Sequence, residues 1–362
     1  MTNWVSEKLD ILSSFGKYAR SEQGNNSRDF LKLDANENFM LKKRFISQIA
    51  LQAAKDTDLR EYPLKQFEEL YRQLAKYTGI DKKYLVVGNG SDQIIELILS
   101  TIGRGQRVNV FTPTFSYFIN RCELHGLIVN RVPLNKKDNT LNKEEFLQAA
   151  KQCGIVYICS PNNPTGNQFD KRSILEIIEV LKDKLILIDE AYVEFANYSL
   201  MSYASAKYDN VVILRTLSKA FGLAGARVGY FVSNKRFAEI FRSSIQSPYP
   251  LNSLSLTIAA TVLSQSPYIK QNIKMIKAER KRVFDQLVRF NGIKVFQSDA
   301  NFIFLESYEK FNAILKSLKK ARLAVKAFGN IDDRKGCIRV TIGTKSMNNK
   351  FLKSIEKAVY ND

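Results

Sequence analysis

Three short apolar runs constrain this chain most: Ile155-Val156-Tyr157-Ile158-Cys159, Leu185-Ile186-Leu187-Ile188 and Val211-Val212-Ile213-Leu214. None shows the apolar-polar alternation of a half-solvated strand, so each needs cover on both faces, as a strand inside a parallel sheet has. Helical segments such as Arg172 to Leu181 separate such runs. Strand-helix-strand order predicts right-handed crossovers and a mainly parallel sheet between about residues 40 and 250. Sheets of this kind bind ligands outside the C-terminal ends of their strands. The residues that follow each run are therefore where chemistry is expected.

After Leu214 the chain reads Arg215-Thr216-Leu217-Ser218-Lys219-Ala220-Phe221-Gly222-Leu223-Ala224-Gly225-Ala226-Arg227. A lysine set among hydroxyls, small residues and an arginine can capture an aldehyde cofactor as a Schiff base, while Thr216, Ser218 and the forked guanidinium of Arg227 suit a phosphate. After Ile188 comes Asp189-Glu190-Ala191-Tyr192. A carboxylate at that strand end would keep a pyridine nitrogen protonated, and Tyr192 is assigned to a phenolic ring oxygen. Ser160-Pro161-Asn162-Asn163-Pro164-Thr165-Gly166 follows Cys159; its prolines and glycine rigidify a loop from which Asn163 can donate to the same oxygen.

Upstream, Tyr84-Leu85-Val86-Val87 enters Gly88-Asn89-Gly90-Ser91-Asp92 and then a helix-patterned segment. Free N–H groups around Gly90, Ser91 and Asp92 and the positive helix end suit an anion. A dinucleotide-binding turn would need a third glycine where Gln93 stands. Arg107-Val108-Asn109-Val110 leads to Phe111-Thr112-Pro113-Thr114-Phe115-Ser116-Tyr117, and Tyr117, in preference to Phe115 or Phe118, is expected to stack on the ring. Seen singly, these segments are a basic turn, a helix cap, a loop and a core aromatic. Jointly they supply an amine for an aldehyde, a carboxylate for a ring nitrogen, donors for a phenolic oxygen and a cradle for a phosphate, which is the requirement of pyridoxal 5'-phosphate.

With these motifs in place, and with Cys337-Ile338-Arg339-Val340-Thr341-Ile342-Gly343-Thr344 near the end, the chain resembles the fold type I pyridoxal phosphate aminotransferases of class I/II, and within them the histidinol-phosphate aminotransferase family. The likeness runs from Leu33-Asp34-Ala35-Asn36-Glu37-Asn38 to Gly343-Thr344. It implies that Lys219 carries the cofactor, that Asp189, Tyr192, Asn163 and Tyr117 hold the ring, and that Ser91, Asp92, Thr216, Ser218 and Arg227 surround the phosphate. It also implies that Tyr62, in Arg60-Glu61-Tyr62-Pro63, reaches the phosphate of a neighbouring subunit, hence a homodimer. Arg339 resembles the arginine that clamps the acidic end of the substrate, with Asn36 and Tyr18, or Phe15 in its place, nearby. The implied reaction is transamination of L-histidinol phosphate with 2-oxoglutarate, a step of histidine biosynthesis. A decarboxylase of a phosphorylated amino acid, an aromatic aminotransferase and a cofactor-binding regulatory module are the alternatives. Two positions depart from the family pattern. Phe39 stands where proline is usual, and Lys326 where a second arginine is usual, giving a point charge instead of a fork.

Composition narrows the reading further. The single histidine, His125, leaves no histidine-based metal site and no serine or cysteine triad that does not rest on it; its place near a helix end suggests a cap. No metal is expected. Cys122, Cys153, Cys159 and Cys337 form no C-x-x-C pair and are read as reduced, buried thiols. The net charge of +19 is spread along the chain without a nucleic-acid module, so it is read as a solvated surface that attracts anions, with no nucleic-acid partner. No segment has the apolar length of a membrane helix or signal peptide, and a soluble, cytoplasmic protein is expected. Residues 40–250 are assigned to a large cofactor-binding domain, and residues 1–39 and 251–362 to a smaller α+β domain with an N-terminal arm. Substrate, a phosphorylated amine or 2-oxoglutarate/glutamate, is expected between them.

Overall fold

The computed structural model describes residues 4–14 and 30–360. Its strands are β1 (Leu31–Leu33), β2 (Leu85–Asn89), β3 (Arg107–Thr112), β4 (Ile128–Pro133), β5 (Ile155–Cys159), β6 (Leu185–Asp189), β7 (Val211–Thr216), β8 (Val228–Val232), β9 (Lys294–Val295), β10 (Phe302–Glu306), β11 (Leu323–Ile331) and β12 (Arg334–Thr341). Seven of them form one sheet in the order β2-β8-β7-β6-β5-β3-β4. The pairs from β7 through β4 are parallel, whereas β8 runs antiparallel to both of its neighbours. The mainly parallel α/β sheet expected from the apolar runs is present, and the reversed β8 is the addition. The connection from Leu217 to Arg227 holds no crossover α-helix, so β8 returns antiparallel beside β7.

Both faces of this sheet are covered, as the strand composition requires. Along β5, Ile155, Tyr157 and Cys159 pack on one face with Phe118 and Ile98, while Val156 and Ile158 pack on the other with Ile174 and Ile177. Each large aliphatic side chain so buried contributes roughly 1.5–3 kcal/mol. In register, Cys159 lies beside Asp189, and Asp189 beside Leu214. The polar segments that follow β5, β6 and β7 therefore emerge along one edge.

The second sheet has the order β1-β11-β12-β10-β9, with β1 parallel to β11 and the remaining pairs antiparallel. It places Arg339 of β12 between Lys326 of β11 and Phe304 of β10. Between the two sheets in chain order lie two consecutive helices, Ser253–Ser264 and Ser266–Leu287. Pro267 has no N–H to continue the first helix, but it fits the first turn of the second, where that donor would be unpaired. Asn252 caps the first helix by accepting from the Ser255 N–H at 2.8 Å. None of the described helices is long and apolar enough to cross a membrane.

A charged cluster locks the strand ends. Arg215 of β7 donates from Nη1 to Glu190 Oε2 at 2.9 Å and from Nη2 to Glu194 Oε1 at 2.7 Å, and all three side chains are at most 4% exposed. Glu190 also accepts from Ser199 Oγ and the Leu200 N–H, both at 2.6 Å. Removing the guanidinium would leave two buried carboxylates without a cation. Arg215→Met should therefore lose about 3–5 kcal/mol of stability, seen as a lower urea midpoint; an unchanged midpoint would show that the cluster does not hold the sheet.

Candidate active site

A cavity of about 290 Å³ opens at the edge where β5, β6 and β7 end. Asp189, Tyr192, Thr216, Ser218 and Lys219 line it from those strand ends, and Asn163 from the loop after β5. Ser91 and Asp92 enter from the helix Gly90–Ser100, with Arg227 beside them. Asn36, Lys326 and Arg339 close it from the five-stranded sheet and the turn after β1.

Lys219 is half-buried, and its Nζ donates to the Ala35 carbonyl at 2.9 Å. It stands 5.8 Å from the centroid of the Tyr192 ring. Burial disfavours the ammonium and the nearby Arg339 guanidinium adds to the effect, so the amine pKa is lowered to about 8. Asp189 shows the opposite effect of the same cause. Burial pushes its carboxyl up to about 6, against the hydrogen bonds it accepts from Tyr157 Oη at 2.8 Å and the Ala191 N–H at 3.0 Å. Its immediate hydrogen-bond partners are neutral, so a cation delivered to this end of the cavity would restore the carboxylate.

The other end is built for an anion. The first turn of the helix Gly90–Ser100, through Ser91 and Asp92, lines it, bringing the positive end of the helix to the cavity. Thr216 Oγ1 donates to Ser218 Oγ at 3.0 Å and accepts from the Ser218 N–H at 3.1 Å, holding two hydroxyls together. Arg227, in the left-handed region at φ +54°, donates from Nη2 to Asp92 Oδ2 at 2.8 Å. The Asp92 carboxylate accepts and so aims the guanidinium, which leaves its backbone N–H as the group that can face an anion. Gly90 sits at φ +76°, a backbone conformation that favours glycine, and a Cβ there would come within 2.6 Å of Arg227 Nη2 and push the guanidinium aside.

Arg339 donates from Nη1 to Asn163 Oδ1 at 2.6 Å and from Nη2 to the Asp34 carbonyl at 2.5 Å. Because the arginine takes the carbonyl end of Asn163, the amide's NH₂ end is left as donor. Asn36, at φ +54°, donates from Nδ2 to Tyr192 Oη at 2.9 Å and from its backbone to Thr341 Oγ1 at 2.9 Å, which joins the two sheets across the cavity. Burial pushes the Tyr192 phenol well above its ordinary range.

Some expected positions fall elsewhere. Phe115, not Tyr117, reaches the cavity wall; the Tyr117 ring lies 5.7 Å from that of Phe115 with the Arg121 guanidinium over it. Phe115 is the residue before the helix Ser116–Leu124, whereas Tyr117 is already inside its first turn. Tyr62 is 74% exposed, stacked on Tyr249 at 4.5 Å, and does not line this chain's own cavity. Tyr18 and Phe15 lie outside the described residues. Asp34, Ala35 and Cys159 also line the cavity, though nothing local in the sequence marks them except their place next to strand ends. His125 ends the helix Ser116–Leu124 through its backbone, while its ring meets Glu96 at 2.7 Å, away from the cavity.

Comparison with known proteins shows the family of the chain. The family model described as aminotransferase class I and II matches residues 28–355. The chain is 36% identical to the histidinol-phosphate aminotransferase of Caldanaerobacter subterraneus subsp. tengcongensis over 90% of this chain and 92% of that protein. It is 34% identical to that of Pyrococcus furiosus over 90% and 91%. Among solved structures, histidinol-phosphate aminotransferase from Sinorhizobium meliloti in complex with pyridoxal-5'-phosphate superposes with a TM-score of 0.83 at 22% identity, covering 97% of this chain and 99% of that one. The histidinol-phosphate aminotransferase of Clostridium acetobutylicum gives 0.82 at 25% identity, covering 92% and 100%.

Lys219 should react ahead of the surface lysines. Its neutral fraction rises as pH passes about 8, whereas an ordinary lysine stays charged to above about pH 10. Reductive labelling with a small aldehyde, read by peptide mass mapping, should modify Lys219 first with a midpoint near pH 8; labelling indistinguishable from that of Lys42 or Lys136 would refute the depressed pKa.

Proposed function

We propose that this chain, which belongs to the class I and II aminotransferase family, is a pyridoxal phosphate-dependent enzyme that exchanges an amino group between L-histidinol phosphate and 2-oxoglutarate, giving imidazole acetol phosphate and L-glutamate. The observation that carries the reading is the single cavity in which an amine with a depressed pKa lies between a buried carboxylate and two guanidinium groups. The names of the similar proteins supply the substrate pair.

The residues present fit the cofactor. Ser91, Thr216, Ser218 and Arg227 would hold its phosphate, Asp189 its ring nitrogen, and Tyr192 with Asn163 its phenolic oxygen. Phe115, which lines the cavity, is better placed than Tyr117 to cover the ring. When bound, the group serves as the electron sink for the bond broken at the substrate Cα. The Lys219 amine, neutral over a useful fraction of molecules near pH 8, removes the proton from the Cα of the amino donor. Arg339 clamps the acidic end of either substrate, because its planar fork matches phosphate and carboxylate alike. Lys326, directly opposite in the sheet, adds a second positive charge that suits a dianionic phosphate.

The holoenzyme mixed with L-histidinol phosphate alone should lose its cofactor absorption band, and 2-oxoglutarate should restore it. Lys219→Ala should show neither change, and retained turnover in that variant would overturn the assignment. A response to phenylalanine but not to histidinol phosphate would make the protein an aromatic aminotransferase. Carbon dioxide release without an oxo acid would make it a decarboxylase.

The same reading includes a homodimer working in the cytoplasm, in which the exposed Tyr62 serves the partner's cavity. Sedimentation should give twice the chain mass at assay concentration; a fully active monomer would remove Tyr62 from the site.

A further inference from the structure

Arg334 opens β12 at the end remote from the cavity and is only 2% exposed. A buried guanidinium is costly unless its donors are met, and its two terminal nitrogens make four bonds here. Nη1 donates to Glu306 Oε1 at 2.5 Å and to the Lys136 carbonyl at 3.5 Å. Nη2 donates to Asn139 Oδ1 at 2.6 Å and to the Asn135 carbonyl at 3.4 Å. Glu306 belongs to the same sheet as Arg334, but residues 135–139 follow β4 of the other sheet.

From there a chain of hydrogen bonds leads back to the cavity. Asn139, at φ +64°, accepts at its carbonyl from Asn167 Nδ2 at 3.0 Å. The Asn167 carbonyl accepts from the Asn162 N–H at 2.9 Å, and its side-chain oxygen accepts from Thr165 Oγ1 at 2.6 Å. Asn162 is bonded to Asn163, whose Oδ1 accepts from Arg339 at 2.6 Å. The path thus leaves the β11–β12 hairpin at Arg334 and re-enters it at Arg339. The hairpin needs such an anchor because its own ladder is irregular: the register shifts between Ala327 and Gly329 and again between Gly329 and Ile331.

We infer that Arg334 is a positioning residue that, through Asn139 and Asn167, fixes the β11–β12 hairpin against the Ser160–Gln168 loop and so sets where Arg339 and Lys326 stand in the cavity. The inference rests on the proposed role of Arg339 as an acid clamp. A bidentate clamp displaced by about 1 Å loses much of its effect, so a contact remote from the cavity controls affinity for acidic substrates without touching them.

The test uses succinate, an unreactive dicarboxylate, titrated calorimetrically into the holoenzyme, with melting temperatures measured in parallel. Arg334→Lys keeps a charge beside Glu306, but a single ammonium cannot reproduce the fork that also engages Asn139. Asn139→Gly tolerates the positive φ and removes only the carboxamide. Both variants should bind succinate about ten- to a hundredfold more weakly than wild type, and the double variant no more weakly than Arg334→Lys alone, since both act on one path. Lower melting temperatures with wild-type succinate affinity would reduce Arg334 to a stabilising residue and overturn the inference, as would strictly additive losses. Wild-type protein that binds no succinate would also overturn it. Wild-type protein that binds succinate but exchanges no amino group would instead refute the proposed function and leave the positional role of Arg334 supported by the variants.

Discussion

Arg215 sits between Glu190 and Glu194 at the point where the segment leaving β6 meets β7, with bonds of 2.9 and 2.7 Å and no appreciable access to water. Each partner is covalently next to, or a few residues from, a cavity group: Glu190 follows Asp189, and Arg215 precedes Thr216. Successive residues of a strand face opposite ways. Holding Glu190 and Arg215 from within therefore fixes the backbone from which Asp189 and Thr216 project. Charged groups kept in the interior at such cost give the strand ends a geometry that apolar packing alone, being non-directional, would leave looser.

The cavity works through opposed consequences of one effect. Withdrawal from water lowers the Lys219 amine to about 8 and raises the Asp189 carboxyl to about 6, moving both toward neutrality. A ligand that is cationic near Asp189 and anionic near Arg227 and the helix N-terminus would reverse the penalty at the carboxylate while leaving the amine free to react. Arg339 takes part twice, disfavouring the Lys219 ammonium and offering its fork to an acidic substrate. The surplus of positive charge over the whole chain favours the approach of anionic ligands.

Much of the architecture was legible because buried parallel strands have an unmistakable composition. β5, β6 and β7 could be located from their apolar runs, and the polar segments after them could be nominated by position alone. Asn163, Asp189, Lys219 and Arg227, nominated separately, do share one cavity. That Phe115 lines the cavity and Tyr117 does not was not legible, since it depends on where a helix begins to within two residues. The antiparallel β8 was missed because a single short strand does not reveal its direction. Asp34 and Ala35 take part through carbonyl groups that accept from Arg339 and Lys219, and any residue type can supply a carbonyl.

The sequence by itself determined the fold class and the chemical inventory, because hydrophobic periodicity dictates which segments must be buried and residue type dictates which groups can react. Tertiary structure alone decided the distances and the electrostatics. Asn36 meets Tyr192, Arg339 meets Asn163, and Arg334 meets Asn139 across separations of 156, 176 and 195 residues. The pKa values of Lys219 and Asp189 arise from burial that exists only once both sheets are assembled around the cavity. Local propensity carries no information about such pairings; they are set when two independently patterned surfaces close on each other and every buried donor must find an acceptor.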